Sequence, residues 1–302
     1  MSPSTEGIWS AALTPIDGEL CPDASRAVTY YHDLLQRGCD GVTVLGTTGE
    51  AMSFSATQRV NFMEALSSSG LPMQRLMVGT GAAGLGDAVL MTRAAFDCNY
   101  SAALVMPPYF FREASDDGIV AFFDAFLSRA DPPRKSVLLY NFPKMSGIAF
   151  HPALIDRLLS EFPEIIAGMK DSSNDANLQA EVLSRHPELA VLPGSEGDLL
   201  GAKARGVAGC ISGSVALWPQ LARKVFANGD RAQAEKLTRR RAALDGVPFV
   251  PAMRHLVACS RGDPAWERAM PPQAPLTPAQ RRALDGAVAP FRASLVSAAS
   301  TR

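Results

Sequence analysis

The sequence predicts an α/β fold, a (β/α)8 TIM barrel that ends in a C-terminal helical extension. Short apolar runs alternate with helical patterns eight times, with a repeat of about 25 residues and short connecting loops. The strand-like runs are apolar on both faces, as a parallel sheet enclosed by helices requires. After residue 230 the pattern changes to helices alone. An open doubly wound sheet remains the alternative arrangement.

The predicted strands are apolar runs bounded by residues that favour turns. The polar residues after each run indicate loops at the strand ends. In chain order the strands are Ile8–Leu13, Gly41–Leu45, Arg75–Val78, Ala102–Met106, Ser136–Tyr140, Glu164–Met169, Ala190–Leu192 and Gly209–Ile211.

The predicted helices have clear start and stop signals. Ser55–Gln58 and Thr277–Gln280 are capping boxes, in which a hydroxyl and an amide side chain satisfy the free N–H groups at a helix start. Pro152 and Pro219 suit first turns. The remaining predicted helices are Ala24–Arg37, Asp87–Phe96, Asp117–Arg129, Asn177–Ser184 and Leu199–Ala204.

The chain is predicted to form one domain with two parts. Residues 1–229 form the barrel, and residues 230–302 form a C-terminal helical appendage packed on it. A chain of 302 residues is long enough to bury a full core. The run Arg239–Arg241 is interpreted as a solvated helix face.

Composition excludes several classes of protein. The chain is 47% hydrophobic and 20% charged, with a net charge of −1, so neither nucleic acid nor a membrane is an expected partner. Its five cysteines lack the spacing of a disulfide framework or a zinc site, and no bound metal is expected. The N-terminus lacks the features of a secretory signal, and no run is long enough to span a membrane. We expect a cytoplasmic protein.

The polar residues that follow the predicted strands indicate the position of an active site. The carboxyl ends of barrel strands meet at one mouth, where chemistry takes place. A lysine leaving a buried strand is desolvated, which favours a free amine that can attack a carbonyl. A phenol can move protons, and a Gly/Thr loop suits a carboxylate. The residues concerned are Thr47-Thr48, Tyr109, Tyr140-Asn141, Lys170 and Gly194–Glu196.

A second pattern, a GxGxxG match at Gly79–Gly84, is typical of dinucleotide binding. That function also needs an acidic residue near the end of the next strand. The next strand, Ala102–Met106, has none, so we interpret the glycines as a tight turn.

Three motifs carry a resemblance to a known family. Gly46–Glu50 reads GTTGE, Tyr140–Pro143 reads YNFP and Gly168–Ser173 reads GMKDSS. In this order and spacing they resemble the dihydrodipicolinate synthase/N-acetylneuraminate lyase family over about residues 6–290. The resemblance implies a (β/α)8 barrel and a pyruvate-dependent class I aldolase. It also implies a homotetramer, a dimer of dimers, that needs no cofactor because the substrate is bound as a Schiff base.

The resemblance implies a role for each motif residue. Lys170 is the Schiff-base lysine and Tyr140 the proton shuttle, while Thr47 and Thr48 hold the pyruvate carboxylate and Thr48 assists catalysis. Further residues are predicted to contact the substrate because they lie near the same mouth. They are Gly46, Tyr109, Ser172, Glu196 and Ile211.

Two departures from the lysine-biosynthesis branch bear on the substrate. In that branch the motif reads YNxPxR, and its arginine binds the far carboxylate of the substrate. This chain has Met145 at the position of the arginine. Lys144 would replace the arginine poorly, and Arg112 in a nearby loop is the alternative. The adjacent tyrosine pair of that branch, of which one reaches across a subunit interface, is here Tyr109-Phe110.

These observations predict a lyase that makes or breaks a carbon–carbon bond between pyruvate and an aldehyde. The predicted substrate is a 2-keto-3-deoxy sugar acid or a related 2-oxo acid. The alternatives are 4-hydroxy-tetrahydrodipicolinate synthase, a dehydratase of the same family, and a non-catalytic paralogue.

Overall fold

Eight parallel strands surrounded by helices make up the protein in a computed structural model, which describes residues 5–296. Neighbouring strands pair in chain order from the first to the seventh, and the eighth pairs with the first. The Ala208 N–H donates to the Val191 carbonyl oxygen at 3.0 Å, which joins the two remaining edges. The strands are β1 (Gly7–Ala11), β2 (Gly41–Val44), β3 (Leu76–Gly79), β4 (Ala102–Val105), β5 (Val137–Asn141), β6 (Ile166–Asp171), β7 (Ala190–Pro193) and β8 (Gly209–Ser212).

Helices cover the outside of this sheet, which confirms the predicted (β/α)8 barrel. Both predicted capping boxes are present, at Ser55 with Gln58 and at Thr277 with Gln280. The helices of the barrel are α1 (Ala24–Gln36), α2 (Ala56–Ser67), α3 (Leu85–Asp97), α4 (Asp116–Ala130), α5 (Pro143–Ser146), α6 (Pro152–Glu161), α7 (Ala176–Arg185), α8 (Leu199–Ala204) and α9 (Pro219–Asn228).

The strands bury both faces, and their side chains alternate between two separate cores. One set, which includes Val42 and Leu139, points outward and packs under the helices. The other set fills the inside of the barrel. It consists of Trp9, Ala11, Met77, Ala102, Leu104, Leu138, Leu192 and Ile211.

The sixth strand lies two residues later than predicted. The sequence predicts Glu164–Met169, whereas β6 runs from Ile166 to Asp171. Lys170 therefore lies inside the strand, where it is paired with Tyr140 on β5 and Leu192 on β7. Pairing with neighbours on both sides extends the strand through a polar residue that local composition assigns to a loop.

Among the described residues, four α-helices follow the barrel: α10 (Arg231–Ala242), α11 (Phe249–Arg261), α12 (Pro278–Val288) and α13 (Arg292–Val296). They pack on the barrel through buried residues that include Leu237, Leu256 and Leu284. Between residues 5 and 296, no helix has the length and apolar character needed to cross a membrane. The predicted boundary between the two parts at residue 230 stays a prediction, and residues 297–302 lie outside the described range.

Candidate active site

Lys170 and Tyr140 lie side by side in the barrel. They are register partners on β6 and β5, and the lysine Nζ lies 4.3 Å from the centroid of the tyrosine ring. Strand alternation turns both side chains inward, because Leu138, two residues before Tyr140, belongs to the inner core. Both are nearly enclosed, with 3% of Lys170 and 5% of Tyr140 exposed. The amine and the phenol are thus held on one rigid pair of strands.

The loop after β2 supplies the next polar group. The Thr47 Oγ1 lies 3.1 Å from the Tyr140 hydroxyl, a hydrogen bond in which either oxygen can donate. Thr48 follows it and also faces the cavity. The hydroxyl of Thr47 therefore orients the phenol next to the amine of Lys170.

A buried ion pair anchors this loop from behind. Glu50 has a left-handed backbone, with φ of 53°, and its carboxylate accepts from the Nε of Arg254 at 2.6 Å. The Met270 N–H donates to the other carboxylate oxygen at 3.0 Å. Burial lowers the pKa of Arg254, although the charge of Glu50 opposes this shift. The C-terminal helices thus hold the loop that carries Thr47 and Thr48.

A second buried network fixes the ends of β5 and β6. The side-chain amide of Asn141 donates to the Asp171 Oδ1 at 2.8 Å, and that of Gln179 donates to Oδ2 at 2.8 Å. The Phe150 N–H donates to the Asn141 Oδ1 at 3.1 Å. These groups follow Tyr140 and Lys170 in sequence, so by alternation they point away from the cavity. They hold the strand ends that carry the two inward groups.

The amine and the phenol open onto a cavity of about 290 Å³. It contains three basic side chains, from Lys144, Lys170 and Arg241, and no Asp or Glu among the described residues that form its wall. The wall is formed by Ala11, Thr47, Thr48, Tyr140, Phe142, Lys144, Met145, Lys170, Ser172, Asn174, Gly194, Ser195, Ile211, Ser212, Gly213, Arg241, Phe249 and Val250.

The structure brings most of the predicted site residues together. Besides the lysine and tyrosine, four predicted residues line the cavity: Thr47, Thr48, Ser172 and Ile211. Gly194 approaches Ser172 so closely that a Cβ at that glycine would lie 2.2 Å from the Ser172 Oγ. A residue with a side chain would displace Ser172 from the wall.

Three predicted contacts lie outside the cavity wall. Glu196 is buried behind it, where one carboxylate oxygen accepts from the Ser212 hydroxyl and the other has no partner within residues 5–296. The Tyr109 hydroxyl donates to the Met52 sulfur at 3.0 Å. Gly46 precedes the two threonines in the chain and is not among the residues that form the wall. Substrate contact by Gly46, Tyr109 and Glu196 stays a prediction.

The sequence analysis missed the contribution of the C-terminal helices. Arg241, Phe249 and Val250 form one side of the cavity, and the arginine belongs to a run interpreted as a solvated face. Consecutive residues of a helix point in different directions, so three adjacent arginines cannot share one environment. The change of direction from one helix residue to the next was the available sign that one of the three arginines is not on the solvated face. Arg112, the predicted substitute for the missing arginine, packs against Gly147 and does not line the cavity.

A parallel barrel with a lysine and a tyrosine buried at the carboxyl ends of adjacent strands defines a barrel enzyme. The model of the Dihydrodipicolinate synthetase family matches residues 4–287 of this chain. The chain belongs to that family and is a carbon–carbon lyase of the class I pyruvate aldolase type.

Known proteins of similar sequence and structure agree with this assignment. The chain is 34% identical over 254 residues to an uncharacterized DapA-like lyase of Chloroflexus aurantiacus, covering 82% of this chain and 84% of the relative. It is 30% identical over 238 residues to a 4-hydroxy-tetrahydrodipicolinate synthase of Synechococcus sp. strain CC9605, covering 78% of each. The crystal structure of dihydrodipicolinate synthase from Agrobacterium tumefaciens is similar with a TM-score of 0.89 and 29% identity, over 95% of this chain and 99% of that chain.

Proposed function

We propose that Lys170 forms a Schiff base with pyruvate and that the enzyme makes or breaks a carbon–carbon bond between pyruvate and a hydroxylated aldehyde. The observation that carries the proposal is the contact between the Lys170 amine and the Tyr140 ring, with the phenol bonded to Thr47. The proposal is supported because an amine, a phenol and a loop with two threonine hydroxyls meet at one cavity, and these are the groups that Schiff-base chemistry requires.

The proposed reaction needs no cofactor. The Lys170 amine attacks C2 of pyruvate, and water leaves to give an iminium ion. Loss of a C3 proton gives an enamine, and its C3 attacks the aldehyde carbon, whose oxygen takes up a proton. Water then hydrolyses the iminium and frees Lys170. Tyr140 moves these protons, because its ring lies against the Lys170 amine and its hydroxyl is hydrogen-bonded to Thr47.

The cavity wall supports a hydroxylated aldehyde in preference to aspartate semialdehyde. Met145 occupies the position at which the lysine-biosynthesis branch has an arginine. It lines the cavity, and 48% of its side chain is exposed. The described wall has three cations and no carboxylate, so the ammonium group of aspartate semialdehyde would have no partner. Hydroxyls, in contrast, are well matched by Ser172, Ser195 and Ser212. We therefore propose a 2-keto-3-deoxy sugar acid as the substrate.

A second candidate is 4-hydroxy-tetrahydrodipicolinate synthase, which condenses pyruvate with aspartate semialdehyde. It is favoured by the relatives that carry this name, one of which is 30% identical over 238 residues. It uses the same imine, and only the second substrate differs.

One experiment tests the imine. Incubation with pyruvate and borohydride should attach a reduced three-carbon adduct to Lys170, which peptide mass spectrometry will locate. Lys135 serves as an internal control, since it is exposed and does not line the cavity. An adduct on another lysine, or none, contradicts the proposal.

A second experiment identifies the substrate. Cleavage of 2-keto-3-deoxygluconate is compared with condensation of pyruvate and aspartate semialdehyde, by kcat/KM. Release of pyruvate supports the aldolase, whereas loss of water with retention of all carbons identifies a dehydratase. A semialdehyde reaction that is faster by an order of magnitude supports the second candidate.

We also propose that copies of the chain assemble as a homotetramer. Phe110 and Phe111 are 75% and 76% exposed, and nearby Met52 is 47% exposed. Large apolar side chains exposed together mark an interaction surface. Replacing both phenylalanines by serine should reduce the assembled species in analytical ultracentrifugation. An unchanged mass places the interface elsewhere.

A further inference from the structure

We propose that Arg241 binds an anionic group at the far end of the substrate, which makes the substrate a hydroxylated 2-oxo acid with a second, distal carboxylate. This inference rests on the proposed function and makes its substrate class more specific. Arg241 comes from a different part of the chain than the arginine of the lysine-biosynthesis branch, whose position is Met145 here. Aspartate semialdehyde stays disfavoured because the described wall has no carboxylate for its ammonium group.

The guanidinium of Arg241 is held in a defined orientation with one edge free. Its Nη1 donates to the Asp245 carboxylate at 2.9 Å, and its Cζ lies 5.2 Å from the centroid of the Phe249 ring. Within residues 5–296, the Nε and Nη2 of this arginine have no hydrogen-bond partner. These two nitrogens form the fork that binds a carboxylate through two parallel bonds.

The pair with Asp245 does not neutralise this arginine. The Asp245 side chain is 70% exposed, whereas that of Arg241 is 24% exposed. An exposed i,i+4 pair contributes little, because water screens both charges. Arg241 belongs to a cavity wall that has no carboxylate among the described residues. An anion that enters is therefore attracted by a charge with a free edge.

The helix that carries Arg241 is fixed to the barrel beside the site. On α10, the Thr238 hydroxyl donates to the Gly197 carbonyl oxygen at 2.6 Å, next to the loop after β7. A Cβ at Gly197 would lie 3.5 Å from the Arg241 Cγ, so the arginine stem rests against this loop. Arg241 thus reaches the cavity wall from the C-terminal helices, while the carboxylate of pyruvate is assigned to Thr47 and Thr48 on the β2 loop.

Lys144 is a weaker candidate for this role. It lines the cavity, but it is exposed, and its ammonium is a mobile point charge on a flexible stem. Arg241 offers a planar fork held by an aromatic ring. The assignment therefore rests on Arg241.

The test compares two substrates that differ at one carbon. They are 2-keto-3-deoxygluconate, with a terminal alcohol, and 2-keto-3-deoxyglucarate, with a carboxylate there. Consumption of each is followed, so that aldol cleavage and dehydration both register. Hydrogen bonds to charged groups predict a kcat/KM ratio of about 10 to 100 in favour of the diacid. In Arg241→Gln the ratio should fall towards one, and Arg241→Lys should give an intermediate value.

Arg239→Gln is the matched control, since it removes the same charge from an exposed position on the same helix. Its ratio should equal that of the wild type. A wild-type ratio near one, a ratio unchanged in Arg241→Gln, or an equal fall in Arg239→Gln overturns the inference. A wild-type enzyme that traps pyruvate on Lys170 yet consumes neither sugar acid also overturns it. Failure to trap pyruvate on Lys170 instead contradicts the proposed function itself.

Discussion

The hydroxyl oxygens of Thr47 and Tyr140 lie 3.1 Å apart, although 93 residues separate them in the chain. Because the phenol has this partner and lies beside Lys170, it is the group best placed to move protons. Tyr140→Phe should lower turnover by about 10²- to 10⁴-fold, the usual contribution of general acid–base catalysis. Stopped-flow trapping of pyruvate with borohydride should also be slower.

The control for this variant is Tyr100→Phe. Tyr100 is buried near α2, with its hydroxyl 3.5 Å from the Met63 carbonyl oxygen, far from the cavity wall. Its turnover should stay within about threefold of the wild type, since the weak hydrogen bond contributes little. Equal loss in both variants would show that Tyr140→Phe acts through stability and not through proton transfer.

We expect the buried amine of Lys170 to lower the free energy of unfolding, although turnover requires it. Its amine is buried, and within residues 5–296 it has no carboxylate at ion-pair distance. Lys170→Met keeps the volume and removes a buried polar group, so the urea midpoint should equal or exceed that of the wild type while turnover disappears. Lys203→Met, which removes a donor to the Ala227 carbonyl at 2.9 Å, should instead lower the midpoint and keep turnover. A clearly lower midpoint for Lys170→Met would reveal a stabilising partner.

We expect the ion pair between Glu50 and Arg254 to contribute strongly to the free energy of unfolding, because it joins the loop after β2 to the C-terminal helices. Arg254→Met leaves the Glu50 carboxylate buried without its partner, which typically costs about 3–5 kcal/mol. Urea unfolding at pH 7 should show this loss, and the KM for pyruvate should rise because Glu50 lies two residues after Thr48. The double variant with Glu50→Gln should lose less than the sum of the single variants.

A matched control is Arg185→Met. Its partners Asp156 and Glu181 are both on the surface, so the loss should be about 1 kcal/mol or less. If both arginine variants lose the same amount of stability, burial of Arg254 has no special role.

Asp263 gives a prediction about pH. The Ala265 N–H and the Arg26 guanidinium hold the pKa of this carboxyl below its ordinary value of 3.8. A lowered pKa in the folded state stabilises the protein above pH 3.8, and this contribution is lost as the pH falls through the folded-state pKa. Asp263→Ala should therefore be less stable by about 1 kcal/mol at pH 7, the typical value of a helix cap. The difference should shrink below pH 4.

Asp263→Asn separates the two causes, because asparagine keeps the acceptor for the Ala265 N–H and loses the charge. It should retain most of the stability at pH 7. A difference that stays constant from pH 7 to pH 3 would mean that the carboxylate charge has no part.

The sequence was sufficient to predict the barrel and the two central residues. Eight repeats of strand and helix predict parallel strands, and the carboxyl ends of parallel strands share one mouth. Lys170 and Tyr140 follow from that rule, and their adjacency is then imposed by strand pairing. The end of β6 could not be predicted, since pairing with β5 and β7, and not local composition, extends it to Asp171.

The remaining parts of the site depend on contacts distant in sequence. Arg241 reaches the cavity because α10 folds back onto the loop after β7. Helix rotation indicates that the three arginines differ in environment, but no local pattern shows which surface the helix meets. Glu196 faces away because its carboxylate accepts from Ser212 on β8. Both orientations are decided by tertiary packing, which a single strand exit does not reveal.

The pairing of Tyr140 with Lys170 on adjacent strands has a consequence for how such an enzyme diversifies. The amine and the phenol lie on paired strands, so they cannot be separated without opening the sheet. Arg241, in contrast, belongs to a helix added after the barrel. If the proposed function holds, substitutions on that helix should change which aldehyde is accepted and leave the chemistry at Lys170 intact. New substrates should therefore be selected by randomising α10 while the two strands are kept unchanged.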